Sequence, residues 1–152
     1  MEPGQIAPDF TAPRDGGGTI TLSALRTQKV VLYFYPKDDT SGCTAEALDF
    51  TAHLAEFAAA GATIIGVSKD PVASHDKFVK KHKLGIALVS DAEGDICERY
   101  GTWVEKSMYG KKYMGIERTT VLIDGDGKVA RVWSKVKVPG HVAEVLAAAQ
   151  AL

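Results

Sequence analysis

The chain is poor in cysteine, with only Cys43 and Cys97 among 152 residues. So few thiols argue against a fold stapled by disulfides and point to free or reactive cysteines. No apolar run approaches the ~18 residues needed to span a bilayer. The opening MEPGQIAPDF lacks the basic region and apolar stretch of a secretory leader. A cytoplasmic protein without a membrane partner is therefore expected. Excess charge is also missing: 18 Lys and Arg face 19 Asp and Glu, for a net charge of -1, which argues against a nucleic-acid partner. The four histidines, His53, His75, His82 and His141, lack metal-ligand spacing, so neither a metal nor a cofactor is expected. His75 and His82 fall on one face of a helix and read as solvated. A dithiol motif is absent too: residues 43–46 are CTAE, which excludes local C-x-x-C exchange.

What is present fits an ordinary globular chain, 45% hydrophobic and 24% charged, and a single domain over 1–152 is expected. FTAPRDGGGTITL reads as a β-hairpin turned by its glycines. VVLYFY (30–35) and TIIGVS (63–68) read as strands buried on both faces, with a shorter strand at 86–90. Helical spacing of Ala47, Phe50, Leu54 and Phe57 predicts one helix from about Cys43 to Ala60, stopped by Gly61. Pro71 opens a helix to about Lys83, Asp91 or Asp95 caps one carrying Cys97, and Pro139 opens the last. Residues 101–116 read as irregular, and TTVLI and VARVWS as a hairpin across DGDG. The sum is an α/β fold: a mixed central sheet with helices on both faces and an N-terminal β-hairpin.

Cys43 is the residue with chemistry. It follows a buried strand and a short loop and lies in the first turn of a helix. Free backbone N–H groups and the positive end of the macrodipole there favour a thiolate over a thiol. The alternative is a small buried hydrophobe. Thr40, three residues earlier, is placed to donate to the sulfur or a bound oxygen, to accept from a substrate O–H, or to cap the helix. Pro36 ends the strand and would fix the loop over the sulfur.

PKDDTSGC matches the P-x-x-x-T-x-x-C motif of the peroxiredoxins. YFYPKDDTSGCTAEALDF and VSDAEGDICERYGTWVEKSMYGKKYMGIERTTVLIDGDGKV resemble the bacterioferritin comigratory protein (PrxQ) subfamily, in order and over nearly the whole chain. The resemblance implies a thioredoxin-like fold and thiol-dependent reduction of hydrogen peroxide and organic hydroperoxides through a cysteine sulfenic acid. It makes Cys43 the peroxidatic cysteine, Pro36 and Thr40 the rest of its loop, and Arg118 in GIERTT the active-site arginine. Glu46 is either a partner of Arg118 or a surface residue. Trp103, Met108, Tyr109 and Tyr113 would wall the site or pack in the core.

The pattern breaks at the second thiol. Members of the subfamily carry a resolving cysteine five residues after the first, here Leu48, or on the next helix, here near Val79. Cys97 is the only thiol left, as a resolving partner or as apolar packing beside Ile96 and Tyr100. The implied reductant is thioredoxin, glutaredoxin or a small thiol such as glutathione, and the resemblance suggests a monomer. The competing readings are a redox sensor or binding module without turnover, and a cysteine hydrolase, for which no histidine motif exists.

Overall fold

The computed structural model describes residues 1–152. The chain opens with a hairpin of β1 (Thr11–Pro13) and β2 (Thr19–Thr21), antiparallel with Ala12 opposite Ile20. Gly16, Gly17 and Gly18 all adopt positive φ, a turn that other residues resist. Just beyond β1, Arg14 bridges to Val89, so the hairpin's end covers the edge of the main sheet.

That sheet is built on β3 (Lys29–Phe34), β4 (Ala62–Ser68) and β5 (Ala87–Ser90), all parallel, with helices in the crossovers. The first crossover holds α1 (Ser41–Ala52) and α2 (Leu54–Ala59), the second α3 (Val72–His82). A short α4 (Ile96–Arg99) follows β5. Next come β6 (Trp103–Met108) and β7 (Lys111–Ile116), then β8 (Thr119–Ile123), β9 (Val129–Trp133) and α5 (His141–Ala151). The strand order is β5-β4-β3-β8-β9, with β8 antiparallel to β3 and β9 antiparallel to β8. This is the mixed sheet expected of a thioredoxin-like peroxiredoxin fold.

Alternation along the central strand divides the core. Val31, Tyr33 and Tyr35 enter one apolar cluster with Cys43, Phe50, Phe57, Phe78 and Val145. Val30, Leu32 and Phe34 enter another with Phe10, Ile96, Cys97 and Tyr100. So α1, α2, α3 and α5 cover one face, and α4 with the N-terminal hairpin covers the other. Each large side chain removed from water this way contributes about 1.5–3 kcal/mol relative to exposure. Gly66 on β4 is required by one of them. A Cβ there would stand 2.8 Å from Cζ of Tyr33 and 2.7 Å from Cδ2 of Leu88.

Two elements differ from the sequence expectation. The helix expected over 43–60 begins at Ser41 and breaks at His53, which leaves helical geometry while its Nδ1 lies 2.9 Å from the Asp49 carbonyl. Residues expected to be irregular form the β6–β7 hairpin, with Lys106 opposite Tyr113. Its turn is Tyr109-Gly110, both at positive φ (52° and 78°), a primed geometry whose usual Asn-Gly signature the sequence lacks. Met108, Tyr109, Tyr113 and Met114 are exposed on this hairpin and neither wall the cysteine nor pack in the core; Tyr109 is 98% exposed. Trp103 packs against the apolar cluster around Cys97, which Ile116 of β7 joins. No helix is long and apolar enough to cross a membrane.

Candidate active site

Cys43 lies in the first turn of α1 and is only 2% exposed. The helix starts with small residues, Ser41 and Gly42, whose N–H groups, like that of Cys43, have no backbone acceptor; the first intrahelical bond is Thr44 N–H to the Thr40 carbonyl, at 2.8 Å. These donors lie at the positive end of the α1 dipole, in the turn that carries Cys43.

Arg118 reaches the same sulfur from the start of β8, where the antiparallel pairing of β8 with β3 sets Thr119 opposite Phe34. Its Nη2 donates to Sγ of Cys43 at 3.3 Å, and its Nη1 donates to Oε1 of Glu46 at 2.7 Å. Gly42 admits this approach, since a Cβ there would already stand 3.3 Å from Nη2. Three residues after the cysteine on α1, Glu46 points to the same side. It is completely buried, and its second oxygen has no partner. Burial pushes the Glu46 carboxyl up to about 7, although Arg118 pulls it down. Burial likewise works against the Arg118 charge, but Glu46 and Cys43 outweigh it and hold the guanidinium above its ordinary value. Glu46 is thus the partner of Arg118 and no surface residue.

Thr40 is the residue before α1, but its side chain makes no cap bond. Its hydroxyl donates to the Lys37 carbonyl at 2.8 Å. That orients the oxygen and leaves its lone pairs to accept a proton from an incoming group. Pro36 lies exposed just past the buried Tyr35, at the entrance of the loop.

The loop itself carries residues that the sequence reading passed over. Asp38 is buried and accepts from the Tyr35 hydroxyl at 2.6 Å and the Ser74 hydroxyl at 2.8 Å. His75 Nδ1 donates to the same carboxylate at 2.7 Å. His75 was expected to be solvated and is instead fully buried, with Nε2 donating to the Val89 carbonyl at 2.9 Å. Burial opposes its charge, but the Asp38 carboxylate outweighs this and raises the imidazole above its ordinary range. His82 is half-buried and bonded to Asp39 at 2.8 Å, so it too is held and not free in solvent. Ligand atoms of Asp38, Asp70 and His75 lie within 4.8 Å of one another. They are already joined to protein partners: Asp70 Oδ2 accepts from the Asp38 N–H at 2.9 Å and the Ser68 hydroxyl at 2.7 Å.

Cys97 is placed elsewhere. It is fully buried on the other face of the sheet, in the first turn of α4. Asp91 caps that helix from a distance, its carboxylate accepting from the N–H groups of Ile96 at 3.0 Å and Cys97 at 2.9 Å. Burial first, and Asp91 second, push the Cys97 thiol far above its ordinary value. Leu48 is exposed on α1, and Val79 packs against the cluster that holds Cys43.

Residues 3–132 match the AhpC/TSA family. The chain is similar to a putative peroxiredoxin Bcp of Coxiella burnetii, 51% identical over 146 residues that cover 96% of this chain and 97% of that protein. It is 49% identical to peroxiredoxin Bcp of Bacillus subtilis, over 96% of this chain and 93% of the relative. Its fold superposes on the bacterioferritin comigratory protein of Xanthomonas campestris with a TM-score of 0.91 and 46% identity, covering 99% of this chain and 96% of the other. That protein's structures are described in terms of alkyl peroxide reduction, from trapped intermediate and ligand complexes. Peroxiredoxin Q of the same organism has also been solved as two Cys-to-Ser variants thirty-six positions apart. The same interval from Cys43 falls on Val79.

Proposed function

The chain belongs to the AhpC/TSA family and is a peroxiredoxin, a thiol-dependent peroxidase; on that premise we propose that it reduces hydrogen peroxide and organic hydroperoxides at Cys43, with Arg118, Thr40 and Pro36 completing the site. The observation that carries this reading is the 3.3 Å contact of Arg118 Nη2 with Cys43 Sγ at the start of α1. A guanidinium donating to the sulfur can follow negative charge as it moves to oxygen.

The Cys43 thiolate attacks the terminal peroxide oxygen. The S–O bond forms as the O–O bond breaks, and the leaving alkoxide or hydroxide takes the electron pair and a proton. Sulfur is oxidised to the sulfenic acid, and the peroxide is reduced to an alcohol or water. Arg118 stabilises the charge spread over sulfur and both oxygens. The Thr40 oxygen accepts the hydrogen bond of the peroxide's terminal O–H and so orients it for in-line attack. Pro36 sets the entry of this loop through its fixed φ.

Recycling proceeds from outside the chain. Cys97 lies across the sheet from Cys43, and a disulfide needs α-carbons within about 7 Å and sulfurs with a path to each other. An external thiol therefore attacks the sulfenic sulfur, water leaves, and a second thiol reduces the mixed disulfide. Thioredoxin, glutaredoxin or a small thiol fits that role, and a monomer over residues 1–152 suffices for it. Cys43→Ser tests the core of the reading: hydroperoxide consumption with a thiol reductant should vanish. Multiple turnovers by the wild type distinguish an enzyme from a sensor oxidised once.

A further inference from the structure

The loop that carries Thr40 is gripped from one side by a single helix. Two consecutive loop carboxylates each meet a histidine of α3, one turn pair apart. Asp38 takes Ser74 and His75; Asp39 takes Lys81 at 2.7 Å and His82 at 2.8 Å. Asp39 needs that grip, because it sits at φ 60°, a left-handed conformation uncommon for a side-chain-bearing residue. The next residue is Thr40, whose hydroxyl is aimed by the Lys37 carbonyl of the same loop. Asp38 and Asp39 thus stand immediately before Thr40 and the start of α1 in the chain.

We propose that His75 and His82 are positioning residues for the peroxide reaction, holding Asp38 and Asp39 so that the loop presents Thr40 to the oxygen that Cys43 attacks. The proposal rests on the assignment of Cys43 and Thr40 above. His75 is the inner joint. Both of its ring nitrogens face acceptors, the Asp38 carboxylate and the Val89 carbonyl, and neither acceptor has a proton to give. Both bonds exist only when the ring carries two protons. The other groups turned toward this pair come from the end of β3, the segment after β4 and α3: the Tyr35 hydroxyl, Asp70 and Ser74. Tyr35 and Ser74 both donate to Asp38, and the Tyr35 oxygen also stands 3.4 Å from Nδ1. The sign follows. The imidazole is raised above its ordinary 6.5, so both bonds are intact below that value and one of the two is lost as pH rises through the higher, folded one. His82 is the outer joint, at the surface, where its ring also packs edge-on to Phe78.

The test separates orientation from thiol reactivity. Stopped-flow oxidation of Cys43 by hydrogen peroxide needs Thr40 in place, whereas alkylation by iodoacetamide needs only the thiolate. His75→Gln should lower the peroxide rate constant about 10- to 100-fold, the scale of a misplaced reacting group, and change alkylation by less than about threefold. The wild type should lose peroxide reactivity on the alkaline side relative to alkylation, and the variant should not. His82→Ala, at the surface and tolerable to the core, should show a smaller drop in the same direction and keeps the test open if the buried variant misfolds. Peroxide rates unchanged in His82→Ala, and in a folded His75→Gln, would overturn the proposal. So would equal losses in both reactions, which would mark a merely structural role. Residual peroxidase activity in Cys43→Ser would instead defeat the assignment on which it rests.

Discussion

Cys43 and Cys97 lie on opposite faces of one sheet, Cys43 packed with Val31, Tyr33 and Tyr35 of β3 and Cys97 with Val30, Leu32 and Phe34 of the same strand. Peroxide-treated protein without added thiol should therefore give sulfenic, sulfinic or intermolecular species of Cys43 by mass spectrometry. A Cys43–Cys97 disulfide as the main product would require the core to open and would restore Cys97 as resolving thiol.

Cys97→Ala should keep thiol-supported turnover within about twofold of wild type. In the native protein one thiol should react quickly with a disulfide reagent, and the second only after denaturation. Collapse of turnover in this variant would contradict the external cycle.

Arg118 serves two partners through two different nitrogens, Cys43 through Nη2 and Glu46 through Nη1. A lysine has one ammonium and cannot reproduce that fork. Arg118→Lys should reduce kcat/KM for hydrogen peroxide about 10²- to 10³-fold, the scale of losing a preorganised charge-stabilising donor. Retention within about fivefold in stopped-flow assays would remove Arg118 from the reaction.

Burial raises the Glu46 carboxyl to about 7 from an ordinary 4.5. The folded state thus holds this proton to higher pH than the unfolded chain does. Its contribution to stability is complete below 4.5 and is lost as pH rises through about 7. Glu46→Gln should keep a hydrogen bond with Arg118 and flatten that decline. The comparison to make is the fall in Tm between pH 5 and pH 8 for the two proteins; equal falls would contradict the assignment.

Gly66→Ala should destabilise the fold by about 1–3 kcal/mol, the usual cost of overpacking a core. The added carbon would meet Tyr33 at 2.8 Å and Leu88 at 2.7 Å. Thermal denaturation reads this directly, and an unchanged Tm would mean that the tyrosine ring has room to move.

The sheet was legible because its strands are short β-branched and aromatic runs bounded by helices, and Cys43 because it follows such a run at a helix start. The Arg118 contact could not be read from periodicity: it joins residues 43 and 118 through the pairing of β8 with β3, and only the family motif pointed to it. The β6–β7 hairpin was missed because Tyr109-Gly110 is not a recognisable turn signature. His75 was misread for a different reason. Helical spacing put it on a face with His82, and nothing local said that this face would meet an aspartate of the loop between β3 and α1. A buried polar pair is created by tertiary packing and has no local pattern of its own.

With β3 standing between its two sulfurs, the proposed external cycle leaves the oxidising equivalent on Cys43 until another molecule takes it. On that proposal the surrounding thiol pool sets the flux. Where thiol is scarce, a second peroxide would carry the sulfenic acid on to the sulfinic acid, and the protein would become a single-use scavenger.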